Sequence, residues 1–77
     1  MGKSYTERMK DLREDKDLTQ TQIAEVLGIE QTVYSRYEGA RAKLPIHHLI
    51  KLAKFYNTST DYVLGLTDEI RPYPKAR

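Results

Sequence analysis

An all-α fold is predicted, a compact bundle of five short helices. Three observations carry it: apolar residues recur at helical spacing in five segments, cap-forming residues precede those segments, and few strand-like alternations occur. Ser4 and Glu7 have the spacing of a capping box and open helix 1, along which Tyr5, Met9 and Leu12 recur. The charged stretch Arg13 to Asp17 is placed at its exposed end. Thr19 and Gln22 form a second box before helix 2, whose inner face is Ile23, Ala24 and Leu27, with Gly28 as its left-handed stop. Helix 3 begins near Glu30 or Gln31 and runs to about Glu38, with Val33, Tyr34 and Tyr37 as its larger apolar residues. Gly39 to Lys43 is a loop, and Pro45 suits the first turn of helix 4. Ile46, Leu49, Ile50, Ala53 and Tyr56 give that helix an apolar stripe, and Asn57 ends it. Ser59 caps helix 5, which carries Tyr62, Val63 and Leu64 and stops at Gly65. The expected core is Met9, Leu12, Ile23, Ala24, Leu27, Tyr34, Leu49, Leu52, Ala53 and Val63.

A chain of 77 residues fits one small domain, marginal in core volume and helped by efficient helix packing or dimerisation. There are no cysteines, so no disulfide and no thiolate metal site, which fits a reducing cytoplasm. No apolar run approaches the roughly 20 residues that span a bilayer. The first ten residues, MGKSYTERMK, have no signal-peptide stretch. The net charge of +2 says little by itself; its distribution says more. Residues 1–35 carry five basic and seven acidic side chains, whereas residues 36–54 carry Arg36, Arg41, Lys43, Lys51 and Lys54 against Glu38 alone. One short basic segment beside an acidic half suits one-sided docking on a phosphate backbone, and on charge alone it reads equally as a solvated helix face.

The stretch Gln20 to Gly39 is the informative one. Counting from Gln20, apolar residues fall at positions 4, 8, 10, 15 and 18, namely Ile23, Leu27, Ile29, Tyr34 and Tyr37, with Ala24 at position 5 and Gly28 at position 9. Two helices that cross steeply through a tight turn need a small side chain at closest approach and a turn residue that tolerates positive φ. The apolar sites pin both helices to one core. The second helix then stands proud of the surface, able to enter a DNA major groove about 12 Å wide.

With these features the sequence resembles the Xre/Cro family of phage-repressor-like helix-turn-helix proteins. The resemblance covers residues 12–65, LREDKDLTQTQIAEVLGIEQTVYSRYEGARAKLPIHHLIKLAKFYNTSTDYVLG, and all five helices. It implies a repressor-like bundle and a transcriptional regulator, expected to be a repressor, that binds double-stranded DNA. Residue by residue, it implies that Gln31, Thr32, Ser35 and Arg36 face the groove. Gln31 can bind adenine and Arg36 guanine bidentately. It implies that Gln20 donates to a phosphate, that Arg41 and Lys43 grip the backbone, and that Arg13 and Glu38 form a pair tying helix 1 to the end of helix 3. Three positions depart from the family pattern. Glu30 stands where a Ser or Thr cap is common, Val33 replaces a frequent hydroxyl residue, and Ala40 stands where Gly is usual.

No catalytic constellation, phosphate-cradling Gly-rich loop or cofactor motif is present in the sequence, so neither an enzyme nor a cofactor is expected. His47 and His48 are adjacent and cannot share one helix face, so they are read as exposed helical residues, not metal ligands. Residues 1–66 are taken as the DNA-binding domain and 67–77, with Pro72 and Pro74, as an irregular tail. A chain of this size makes few base contacts, so a homodimer on a pseudo-palindromic operator is expected. Tyr62, Leu64, Leu66 and Ile70 are candidates for its interface, and equally for capping the monomer core. Any signal input would come through a protein partner or a change in oligomer. The alternative function is a protein-interaction module, an antitoxin or anti-repressor partner, which the same fold allows.

Overall fold

Each helix starts where a cap residue leaves the extended region. The computed structural model describes residues 3–73, and its helices are α1 (Tyr5–Asp15), α2 (Gln20–Leu27), α3 (Gln31–Glu38), α4 (Ile46–Phe55) and α5 (Thr60–Val63), with no strand among the described residues. Both expected capping boxes form. The Ser4 hydroxyl accepts from the Glu7 amide while the Ser4 amide donates to Glu7 Oε1 at 2.9 Å. Thr19 and Gln22 repeat the exchange, with the Thr19 amide donating to Gln22 Oε1 at 2.8 Å. Each box satisfies donors that a bare helix start leaves orphaned, an effect worth about 1 kcal/mol. The Ser59 hydroxyl accepts from the Tyr62 amide and starts α5 in the same way. Pro45 takes the cap position of α4, one place earlier than the first turn assigned to it, and its carbonyl accepts the His48 and Leu49 amides.

The sharp turn between α2 and α3 rests on Gly28, at φ +72°. There the Gly28 amide donates to the Glu25 carbonyl and the Ile29 amide to that of Ala24, which closes the end of α2. Ala24 is buried at the crossing. The core takes one fully inaccessible large side chain from every helix: Met9, Ile23, Tyr34, Leu52 and Val63. Truncating any one would leave a cavity in the core, and such cavities typically cost about 2–5 kcal/mol.

Two expectations about α4 fail together. Its buried positions are His48, Leu52, Ala53 and, at its end, Tyr56. The buried stripe is thus rotated from the one read off Ile46, Leu49 and Ile50. Leu49 is only half-buried, Ile46 is 73% exposed and Ile50 is 43% exposed. His48, expected outside, tilts against Tyr37 with ring centroids 6.0 Å apart. Burial, with His47 and Lys51 nearby, lowers its pKa, so the neutral ring is favoured. His47 is exposed as expected.

Arg8 is also inside. Its guanidinium lies 3.9 Å over the Tyr62 ring and reaches Asp68 at 3.4 Å, while its Nε is buried without a partner among the described residues. Asp68 belongs to the segment after α5, which is tied down within the described residues. Thr58 donates to the Ile70 carbonyl, and the Tyr73 hydroxyl donates to Asp61 at 2.9 Å. Pro74 and the residues after it lie outside the described residues.

Backbone conformation separates two small residues. Gly65 has φ +79°, and a Cβ there would run into the Lys3 carbonyl oxygen. Ala40 has φ +62° although Gly39 beside it does not enter the left-handed region. Left-handed backbone costs a residue with a Cβ about 1–2 kcal/mol, partly offset for Gly by its freer unfolded chain. Ala40→Gly is therefore expected to raise stability by about 0.5–1 kcal/mol, and Gly65→Ala to lower it by about 2 kcal/mol or more. Thermal unfolding of both variants checks this; a neutral Gly65→Ala contradicts the close approach to Lys3.

Candidate nucleic-acid interface

The α2–α3 pair makes the most extensive helix contact in the molecule. Burying Tyr34, and half-burying Tyr37, fixes which way α3 faces. At 100° per residue, positions 31, 32, 35 and 36 fall within an arc of about 140°, and positions 34 and 37 lie on the other side. Gln31, Thr32 and Arg36 are exposed on that arc, and Ser35 is half-buried. Arg36 has no ion-pair partner among the described residues, so its donors face solvent. The basic loop is fastened to the same helix: the Arg36 carbonyl accepts from the Arg41 amide at 2.8 Å and the Ala42 amide at 3.2 Å. Arg41 and Lys43 are exposed there. Glu30 caps α3 by its backbone only and makes no side-chain cap bond.

Beneath this face lies one buried carboxylate. Arg13 Nε donates to Glu38 Oε2 at 2.9 Å and Arg13 Nη2 to Oε1 at 2.8 Å, a bidentate pair joining α1 to the end of α3. The two side chains are only 13% and 3% exposed, so Arg13 is not part of an exposed helix end. The third arm of the guanidinium, Nη1, donates to the Leu18 carbonyl at 2.8 Å and holds the loop between α1 and α2. Glu38 is thereby occupied on the inside, and Asp17 stays exposed in the loop; neither pairs with Arg36.

Glu38 also reaches the start of α2. Gln20 Nε2 donates to Glu38 Oε1 at 3.1 Å, and Gln31 Nε2 donates to Gln20 Oε1 at 2.8 Å. A continuous hydrogen-bonded line therefore runs from the inner carboxylate through Gln20 to the exposed Gln31. The residues were visible in the sequence; the line was not, because its members lie 11 and 18 positions apart.

The charges on this line follow from their surroundings. Burial pushes the Glu38 carboxyl up, but hydrogen bonds from Arg13 and Gln20 outweigh it and hold its pKa below the ordinary carboxylate value. Tyr34 stands beside it with its hydroxyl buried and without a well-formed hydrogen bond among the described residues; burial and the neighbouring Glu38 both push its pKa far up. Among the described residues no cluster of His, Cys, Asp and Glu could hold a metal ion, and no helix is long and apolar enough to cross a membrane.

Comparison with known proteins adds a family. A helix-turn-helix family model matches residues 9–63. The uncharacterised HTH-type transcriptional regulator YobD of Bacillus subtilis is 44% identical over 71 residues, covering 92% of this chain and 62% of its own. The HTH-type transcriptional regulator ImmR of the same organism is 39% identical over 67 residues, 87% of this chain and 52% of its own. The cryptic phage CTXphi transcriptional repressor RstR of Vibrio cholerae is 33% identical over 52 residues, 68% of this chain and 47% of its own. The chain thus spans about half to three-fifths of the length of these relatives. No solved structure matches it.

The ion pair generates a stability test. Glu38→Gln leaves the Arg13 guanidinium without its countercharge in a mostly buried site, and is expected to cost about 2–4 kcal/mol, between an exposed pair and a fully buried one. Because the folded pKa of Glu38 is depressed, its stabilisation is present above the ordinary value of 4.5 and is lost as pH falls through the folded one. Melting temperatures of the two proteins should therefore differ most near neutral pH and converge in acid. A gap that stays constant to pH 3 contradicts an ionised, paired Glu38.

Proposed function

Because the chain belongs to the helix-turn-helix family, of the Xre/Cro type and non-enzymatic, we propose that it is a sequence-specific regulator that reads double-stranded DNA in the major groove with α3. The observation that carries the reading is the exposed arc of α3, polar and free of internal ion pairs, standing next to Arg41 and Lys43. A protein-binding face would be expected to show more apolar surface there; the arc offers only Val33 at its edge, 37% exposed. In this reading Gln31, Thr32, Ser35 and Arg36 touch base edges, and Gln20, Arg41 and Lys43 touch phosphates. The Arg13–Glu38 pair sets the angle at which α3 is presented.

Valence supports Gln31 as an adenine reader. Its amide gives one N–H to Gln20. One N–H and the carbonyl remain, and adenine presents the matching acceptor at N7 and donor at N6. Gln20 likewise keeps one N–H for a phosphate. Glu30 opposes binding in this reading, as an uncompensated carboxylate at the end that approaches the backbone.

The proposal extends to a repressor, in line with the name of the Vibrio relative, that acts as a homodimer on a pseudo-palindromic operator. Residues 1–66 form the DNA-binding unit in this proposal. Apolar surface outside α3 supports dimerisation: Leu64, Leu66 and Ile70 are exposed, and Ile46 and Leu64 line one open groove with Tyr5, Leu44, Leu49 and the stem of Lys43, whose ammonium is assigned to the DNA backbone. Tyr62 is engaged with Arg8 inside the monomer and is left out of that surface.

Two classes of contact are expected to fail differently. Arg36→Ala should cost about 1–3 kcal/mol and relax preference at one base pair. Lys43→Ala should weaken cognate and scrambled sites alike and lower the salt slope by about one. Titrations on both duplexes at several salt concentrations measure this, with the cognate duplex taken from selection on random DNA, which should return inverted repeats. Arg36→Ala weakening both duplexes equally would assign Arg36 to the backbone and overturn the reading face.

A further inference from the structure

The hydrogen-bonded line from Glu38 to Gln31 has a direction, and the direction has chemical consequences. A carboxylate has lone pairs only, so whatever meets Glu38 must donate. Gln20 therefore turns its NH₂ to Glu38 and its carbonyl to Gln31, and Gln31 must in turn donate one N–H. We infer that Glu38, although buried and remote from DNA, is a positioning residue that decides which base Gln31 accepts. It does so by fixing the polarity of the Gln20 and Gln31 amides. The inference rests on the proposal that Gln31 reads a base.

The base preference follows from what is left over. With the polarity set by Glu38, Gln31 presents one N–H beside a carbonyl, the complement of adenine. Guanine presents two acceptors at the same edge, N7 and O6, and the carbonyl of Gln31 would face one of them. Reversal of the line, with Gln20 donating to the Gln31 carbonyl, would leave Gln31 with N–H groups to offer, and guanine would no longer be penalised. Glu38 opposes that reversal by geometry: with its NH₂ turned to Glu38, Gln20 presents its carbonyl, at the other end of the amide, to Gln31. Arg13 enforces the same outcome from behind: its two N–H bonds to Glu38 keep the carboxyl ionised and in place.

Two substitutions release the polarity by different means. Glu38→Gln replaces the acceptor-only group by an amide that pairs in either direction. Gln20→Met removes the connecting amide and leaves the Arg13–Glu38 pair intact, so it remains informative even where Glu38→Gln fails to fold. Sites are selected from random duplex DNA with the wild-type chain, Gln31→Ala, Gln20→Met and Glu38→Gln, and adenine-over-guanine ratios are measured by competition at each base pair. The wild type should favour adenine about tenfold at the base pair that Gln31→Ala affects. Gln20→Met should reduce that ratio to about threefold or less while other base pairs keep theirs, and folded Glu38→Gln should do the same. Any lost phosphate contact would lower affinity for all sequences and leave the ratio alone. If Gln31→Ala changes one base pair but Gln20→Met leaves its ratio at the wild-type value, Glu38 does not set the preference and the inference is overturned. If Gln31→Ala changes no base preference, the reading role of Gln31 itself fails.

Discussion

The bidentate pair between Arg13 and Glu38 is the interaction on which the rest of the molecule depends. Glu38 closes α3, Arg13 lies on α1, and their two short bonds set how α3 leans on the bundle. An ion pair this deep adds less net stability than its geometry suggests, because removing both charges from water opposes the attraction between them. What it adds is direction. An apolar contact in its place would tolerate sliding, whereas the two parallel N–H bonds admit one orientation of the carboxylate. The same guanidinium holds the loop before α2, and the same carboxylate holds Gln20 at the start of α2. Both helices of the motif are thus referred to one point.

Around that point the fold separates two tasks. The inner faces of all five helices close a core with one inaccessible side chain each. The outer arc of α3 takes no part in this packing and remains polar. Gly28 lets α3 follow α2 steeply enough to stand clear, and the loop with Arg41 and Lys43 is tied back to the Arg36 carbonyl. The basic segment therefore begins on the exposed helix and continues through the loop tied to it, whereas most of the acidic side chains precede α3 in the chain.

The local features were legible before the structure. Ser4–Glu7 and Thr19–Gln22 announce helix starts because a capping box is a contact over three residues, and Gly28 announces its turn because positive φ is a property of one residue. The inner face of α2 was legible for the same reason. The features that escaped depend on partners far along the chain. Arg8 is buried against Tyr62 and Asp68, partners that lie far along the chain. The stripe of α4 has two apolar registers in the sequence, and the contact of His48 with Tyr37 accompanies the one less apolar in composition. Ala40 carries a left-handed turn at the position noted for lacking the usual Gly, and Gly39 beside it does not. At the candidate interface the residue types could be named from the motif. Their connection through Gln20 could not, since only the folded backbone brings residues 20, 31 and 38 within hydrogen-bond range.

The central claim is that α3, held at its angle by the buried pair, is the surface that meets DNA. The most direct measurement is a nuclear magnetic resonance titration of the isotope-labelled chain with a short duplex obtained by selection. The largest shifts are expected at the backbone and side-chain amides of Gln20, Gln31, Thr32, Ser35, Arg36, Arg41 and Lys43, with the Tyr5–Leu12 part of α1 nearly silent. Shifts concentrated in α1 or α5, with the exposed arc of α3 unmoved at saturation, would contradict it.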